Sequence, residues 1–501
     1  MVRSHAPATG EILAEIPAAS RAEVHAVVAR ARKAQAAWAI LPVAERAERV
    51  LRFRDAILER ESEIVDVLTR ECGKPRQEAL VHEVTTLLDL TTYYCKNAAR
   101  ILAPQSIELH LLRHRTSVVH HVPRGVVGVI SPWNFPFVIP LGSVVAALVC
   151  GNAVVVKPSE VTPLVMLKAK EIFDSTGLPE DLLGVVVGFG ETGEALIDSG
   201  IQQMVFTGSV ETGKRVAAAC GALLIPCVME LGGKAPLVAC ADADVERAAR
   251  AIVFGGFANS GQACISVERV YAHEEIHDAL VRRVKELTLE LRQGDPRSGE
   301  VDVGAMIFPN QIDVAERLIA DALAKGATLV VGGHKKAGPG RFFEPTVLSG
   351  CNHTMSVMKD EIFGPVVPIQ RVASDDEAVA LANDSHLGLN AYVFTKDRKK
   401  GERLAERIEA GSVVVNDVLS NYAAVEAPFG GMKQSGFGRV HGDDALRAMC
   451  EQRHVSVDRF ASPSRDPIWY PYSAKGYRLM QRGSRALFGR GSIARRLARL
   501  F

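Results

Sequence analysis

The stretch 125–136, Gly-Val-Val-Gly-Val-Ile-Ser-Pro-Trp-Asn-Phe-Pro, and its companion at 151–160, Gly-Asn-Ala-Val-Val-Val-Lys-Pro-Ser-Glu, decide the fold class. Each is a short β-branched run that ends on a proline turn, and an apolar helical stretch lies between them. β-Branched side chains are stiff at χ1 and suit a pleated surface, so 126–130 and 153–156 read as strands. Working outward, the same texture returns at 184–187 and 204–206, each run again followed by a turn and a helical stretch. Strands alternating with helices imply a parallel sheet with crossover helices on both faces. Such sheets bind nucleotides beyond the carboxyl ends of their strands. A second series follows Gly233, with strands at 235–239, 269–272, 328–332, 366–372, 391–394 and 412–415 and a helix at 243–254. The fold class is therefore α/β with two lobes, and the glycine-rich 230–233 is the expected hinge.

Towards the amino terminus the pattern is helical. Ser20 and Glu23 have capping-box spacing, and Val24, Val27, Val28, Ala31 and Trp38 follow along one stripe before Pro42. Further helical blocks are predicted over 44–68 and 76–101. Beyond 462 the composition changes to nine Arg or Lys against one Asp. There Ile493, Leu497, Leu500 and Phe501 share one helical face, with Arg495, Arg496 and Arg499 on the other. This basic tail suggests peripheral contact with anionic lipid, and packing over a neighbouring subunit is the alternative. Gly483, Gly489 and Gly491 weaken a helix in either case.

At 501 residues the chain exceeds one ordinary core. Its 59 basic residues balance 58 acidic ones, so no bulk field favours nucleic acid. The nine cysteines are scattered without a CxxC pair or metal-ligand spacing, and no metal is expected. The first residues lack the apolar core of a secretory signal, and runs such as 144–150 fall well short of the ~20 residues that cross a bilayer. A reducing, cytoplasmic setting is expected, with membrane association only through the tail.

Several segments carry chemistry. In Asn259-Ser-Gly-Gln-Ala-Cys264, a cysteine follows a Ser-Gly turn. A thiolate attacks carbonyl carbon well but needs nearby N–H groups or positive charge to form at neutral pH, and a plain core cysteine is the simpler reading of the segment alone. Glu230, before Leu-Gly232-Gly233-Lys234, sits at a strand end where burial would suit a carboxylate to activate water, or it caps the turn. Trp133-Asn134, between Pro132 and Pro136, offers either an amide donor for an oxyanion or a local turn partner. Lys157 and Glu160 lie just past a strand, within reach of ribose hydroxyls. Gly208, Ser209 and Gly213 open a helix whose amino terminus suits a pyrophosphate, although GxxxxG is a weak signal. Glu361-Ile-Phe363 and the glycine-dense 427–439 name no reaction unaided.

Taken together, PWNFP, KPSE, FTGS, ELGGK, SGQACIS, EIFGP and PFGGMKQSGFGR resemble the aldehyde dehydrogenase superfamily of the non-acylating, NAD(P)-dependent type. They occur in the family's order, and the similarity extends over nearly all of the first 460 residues. The resemblance implies Cys264 as nucleophile, Asn134 with the Cys264 N–H as oxyanion donors, and Glu230 as general base. It implies a dinucleotide site built from Trp133, Lys157, Glu160, Gly208, Ser209, Gly213, Gly232, Glu361 and Phe363. It also implies a Rossmann-like dinucleotide lobe at 1–114 and 123–232 and a catalytic lobe at 233–440. A small β flap at 115–122 and 441–461 would carry dimer or tetramer formation by pairing 115–122 with 453–460, and 462–501 is left as the basic tail.

The expected reaction is oxidation of an aldehyde to a carboxylate through a thiohemiacetal and thioester. NAD is favoured because Glu160 would repel a 2′-phosphate, with NADP open because Lys157 serves either. The surroundings of Cys264 point to an apolar aliphatic or aromatic aldehyde. No arginine neighbours Cys264 in sequence, so succinate semialdehyde, which would need a distant one, comes second. Acyl transfer to coenzyme A has no need of Glu230, and a non-enzymatic binding protein has no need of Cys264. Both are remote alternatives.

Overall fold

A computed structural model of the chain describes residues 1–460, 466 and 468–489. Two compact units result, one of Met1–Ile101 with Pro123–Glu451, the other of Leu102–Val122 with residues from Gln452 onward.

The first unit holds two large sheets. In one, strands Leu183–Val185, Ala153–Lys157, Val126–Ile130, Gln203–Thr207 and Cys227–Glu230 lie parallel in that order, and Gly436–Phe437 closes the edge antiparallel. Counted along the chain the parallel order is 3-2-1-4-5, so the sheet reverses direction of growth between Val126–Ile130 and Gln203–Thr207. That is where such sheets leave a crevice for a ligand. The second sheet has seven strands, six of them parallel. Two details depart from expectation. Thr346–Ser349 is a strand the periodicity missed, and Thr328–Val331 pairs with it antiparallel rather than joining a parallel series.

Helices cover the sheets as the apolar stripes require. Arg21–Ile40 begins at Ser20 with both bonds of the capping box and buries Val24, Val28, Ala31 and Trp38. The block predicted over 44–68 is instead two helices, Val43–Glu59 and Glu61–Cys72, broken at Arg60. The Arg60 guanidinium pairs with Glu63 and with Glu171 of another helix, so a tertiary anchor makes the break and no proline or glycine announces it. Residues 76–101 are helical throughout, with a π-turn at Ala79–Thr85. The helix expected at 243–254 runs Val245–Phe257, through Gly255 and Gly256. A Cβ on either glycine would collide with Val267 or Val367 of the sheet beneath, so close packing explains their place in a helix.

The second unit contains a three-stranded sheet in which Arg115–Pro123 lies between Cys450–Asp458 and Gln105–Ser106. Ser117 and His454 are joined side chain to side chain at 2.6 Å. A helix, Ala474–Phe488, follows. The tail residues Ile493 to Phe501 lie outside the described residues. No helix among the described residues is long and apolar enough to cross a membrane.

Candidate active site

The carboxyl edge of the first sheet gathers the predicted side chains. Trp133 and Asn134 follow Val126–Ile130, Lys157 ends its strand with Glu160 three residues on, Gly208 and Ser209 follow Gln203–Thr207, and Glu230 is the last residue of Cys227–Glu230. Cys264 comes from the other side, in the loop between the turn Ala258–Gly261 and strand Val267–His273 of the second sheet.

Backbone contacts hold that loop in place. Asn259 and Ser260 adopt φ of 51° and 56°, a left-handed pair costly for side-chain-bearing residues and usual only where surroundings impose it. A Cβ on Gly233 would run into the Cys264 carbonyl oxygen, and one on Gly261 into the Gly364 carbonyl. The ELGGK and EIFGP segments therefore clamp the cysteine loop by backbone approach that only glycine permits. The Tyr392 hydroxyl donates to the Ile265 carbonyl at 2.6 Å.

Cys264 lines a narrow, largely apolar cavity with Glu230, Leu231, Thr207, Tyr94, Tyr422 and Phe429. The space left for water-sized molecules is about 40 Å³, more than the ~10–15 Å³ that one water needs. The residue is partly accessible, yet its thiol is crowded by protein. Burial pushes the thiol up to about 12, the Glu230 and Glu361 carboxylates add to this, and the Cys264 and Ile265 N–H groups oppose it.

Glu230 is 5 % exposed, and neither carboxylate oxygen has a hydrogen-bond partner among the described residues. Buried polar groups are nearly always satisfied, so an orphan carboxylate in a cavity marks a place where stability has been given up for chemistry. Burial holds it well above the usual carboxylate range, against the pull of the Arg439 cation.

Asn134 is fixed from both ends. Its Nδ2 donates to the Gln262 carbonyl at 3.0 Å, and its own carbonyl accepts from Lys74 Nζ and Asn259 Nδ2, both at 3.0 Å. Lys74 in turn donates to Glu83 Oε1 at 2.5 Å, and both side chains are fully buried. Glu83 Oε2 accepts the N–H groups of Phe137 (3.1 Å) and Val138 (2.9 Å), beyond the PWNFP turn. A buried ion pair thus ties the turn down on both sides of Asn134. Lys74 lies in Gly73-Lys74-Pro75 at a helix end and was not singled out from sequence; a lysine there has no periodic signature.

The dinucleotide candidates fall along the same edge. Buried Lys157 donates to the Pro158 carbonyl at 3.1 Å and stands 3.6 Å from Glu160, so its desolvated ammonium keeps donor capacity. Burial lowers its pKa. Ser209 caps helix Val210–Ala222, accepting from the Thr212 N–H at 3.3 Å. Gly208 abuts the Phe206 ring, and Gly213 faces the side chain of Leu231. Glu361 accepts the Gly233 N–H at 2.9 Å, and its other oxygen lies where a Cβ on Gly232 would sit, 2.5 Å away. Burial and the charge of Glu268 push Glu361 up to about 8. Phe363, at φ 52°, meets Trp133 edge-on with centroids 5.3 Å apart, and Phe308 stacks on Trp133 at 5.5 Å.

Residues 1–455 match the profile of the aldehyde dehydrogenase family. The chain belongs to that family. A protein of Methylomonas sp named 4,4'-diapolycopene aldehyde oxidase is 37% identical over 496 residues, covering 98% of this chain and 92% of its own. A protein of Mycolicibacterium smegmatis, provisionally named succinate-semialdehyde dehydrogenase [NADP(+)], is 40% identical over 453 residues, covering 90% and 87%. Among solved structures, the NAD+ complex of an aldehyde dehydrogenase from Bacillus cereus superposes with a TM-score of 0.88 at 34% identity, covering 91% of this chain and 93% of that one. The present enzyme is accordingly an oxidoreductase that acts on aldehydes with NAD(P).

In this aldehyde dehydrogenase the structure adds residues that motifs did not disclose. Glu268 accepts from Lys234 Nζ at 3.0 Å and from the Ile362 and Phe363 N–H groups, so it shapes the loop that carries Glu361. A charged Glu-Arg pair inside a central strand was the available signal. Arg439 lines the cavity beside Cys264, although the sequence around the cysteine offers no arginine. Its Nη1 donates to the Gly431 and Gly438 carbonyls.

Proposed function

We propose that this enzyme oxidises an apolar aldehyde to its carboxylate through a thioester on Cys264, with NAD as cofactor. One observation carries the reading: Cys264 and a carboxylate that has no hydrogen-bond partner among the described residues line the same apolar, water-sized cavity at the carboxyl edge of a dinucleotide-type sheet. The thiol gives up its proton to water, and the sulfur adds to the carbonyl carbon. The developing oxyanion is met by the Asn134 amide, which has one hydrogen engaged by Gln262, and by the Cys264 N–H. When bound, the oxidised nicotinamide supplies a hydride acceptor and a positive charge. Glu230 then takes a proton from water as that water attacks the thioester, and the Cys264 sulfur leaves.

The residues present fit a dinucleotide. Lys157 and Glu160 would hold the adenosine ribose, Ser209 at its helix amino terminus the pyrophosphate, and Glu361 the nicotinamide ribose, with Trp133 and Phe363 beside the ring. Glu160 favours NAD by opposing a 2′-phosphate. We assign 1–114 with 123–232 to dinucleotide binding and 233–440 to catalysis. The flap at 115–122 and 441–461 is assigned to dimer or tetramer formation.

The tyrosine- and phenylalanine-lined cavity supports an apolar substrate, as does a relative named for a polyene aldehyde that matches nearly the full chain. A second reading, succinate semialdehyde, is supported by Arg439 in the cavity and by the name of the mycobacterial relative. Specificity constants across saturated aldehydes of increasing length, a polyene aldehyde and succinate semialdehyde, without coenzyme A, decide between them. Rising values with apolar length are expected. A maximum at succinate semialdehyde that Arg439→Leu abolishes would replace this reading with the second, and product formed only with coenzyme A would replace both.

A further inference from the structure

We propose that residues 468–488 are a docking surface for an anionic lipid membrane. The helix Ala474–Phe488 starts at Ser473, whose hydroxyl accepts the Gly476 N–H at 3.0 Å, and buries none of its residues. Lys475, Arg478, Arg482 and Arg485 recur at spacings of three and four, which places them on one face at 100° per residue. Tyr477, Met480, Leu487 and Phe488 fall on the opposite face by the same rule, and Tyr477 and Phe488 are about two-thirds exposed. No Asp or Glu occurs after Asp466.

Just ahead of the helix, Ile468, Trp469, Tyr470 and Tyr472 are 64%, 56%, 78% and 73% exposed. Water solvates such a cluster poorly, and an exposed apolar patch of this kind marks an interaction surface. Tryptophan and tyrosine suit the boundary between headgroups and acyl chains, with rings in the apolar layer and polar tips outward. A basic face opposite an apolar one is the composition that lies flat on acidic lipid. Charge and ring chemistry together choose the occupant: phosphate headgroups answer the four cations while acyl chains accept the aromatic rings. The segment also lies beyond residue 455, where the family profile ends, so it belongs to what this chain adds to the shared enzyme. The mycobacterial relative aligns over 453 residues, whereas the one named for a polyene aldehyde aligns over 496.

The test uses the full chain with vesicles of phosphatidylcholine alone or mixed with phosphatidylglycerol. Co-sedimentation is expected only with the anionic vesicles, accompanied by a blue shift of tryptophan emission that Trp469→Phe removes. Each basic residue near such a surface strengthens binding roughly fivefold, so R478E/R482E/R485E should weaken it by more than about a hundredfold. Aldehyde oxidation in buffer should be unchanged, which reports folding and separates this proposal from the catalytic reading. Equal binding by wild type and the triple variant, or equal binding to both vesicle types, overturns it. So does a triple variant that sediments as a smaller oligomer without lipid, since the face would then be a subunit contact.

Discussion

Glu230→Gln isolates the hydrolytic half of the reaction. The side chains are isosteric, and because Glu230 makes no hydrogen bond among the described residues the substitution removes none there. It also exchanges a buried ionisable group for a neutral amide, so stability should hold or rise. A positioned general base contributes roughly 10²–10⁴ in rate. At about 1.4 kcal/mol per decade that adds roughly 3–5 kcal/mol to the barrier for thioester hydrolysis. Acylation should be spared or quickened, since the Glu230 charge is the larger of the two that raise the Cys264 thiol. Rapid mixing with saturating aldehyde and NAD should give a burst of about one NADH per subunit, then a steady rate slower by roughly two decades or more. Intact mass of the quenched protein should rise by one acyl group. A steady rate close to wild type, or a slow rate with neither burst nor adduct, refutes the assignment of Glu230 to water activation.

Two further outcomes follow from the buried charges. Lys74→Met leaves Glu83 buried without its cation, which should cost about 3–5 kcal/mol in urea unfolding, and Lys74→Met with Glu83→Gln should recover part of it. Because Lys74 also holds the Asn134 carbonyl, the double variant should keep cofactor affinity yet lose kcat; a kcat equal to wild type would make the pair purely structural. The carboxyl of Glu361 is raised from the usual range to about 8 by burial, so it favours the fold below about pH 4.5 and withdraws that support as pH climbs through 8. Glu361→Gln should therefore gain thermal stability relative to wild type on going from pH 5 to 9, while NAD binding by titration calorimetry weakens. A pH-independent difference would contradict the shift.

Much of the nucleotide-type sheet was legible because each strand is a β-branched run closed by a turn, and local chemistry alone dictates that pattern. The 3-2-1-4-5 order was not legible, since pairing depends on crossover geometry rather than on any one run. The break at Arg60 and the continuity through Gly255 and Gly256 went against local propensity, the first because an arginine is held by two glutamates, the second because a sheet lies too close for a side chain. Among candidate site residues, Cys264, Glu230 and Asn134 lay in segments punctuated by proline and glycine, but each segment alone allowed a structural reading, and only the resemblance of the seven motifs together implied their roles. Lys74, Glu83, Glu268 and Phe308 were not legible, because each works through a contact distant in sequence from its own segment. Arg439 sat in view within a glycine-dense motif, but only folding placed it in the cavity that Cys264 lines.

The most direct measurement is NADH formation by Cys264→Ser with saturating aldehyde and NAD, alongside proof from cofactor titration that the variant is folded. The sulfur is the sole protein atom proposed to bond to substrate carbon, so hydride transfer should fall to the uncatalysed background while NAD affinity stays near wild type. Undiminished NADH production by a variant that lacks that sulfur would contradict the thioester route outright.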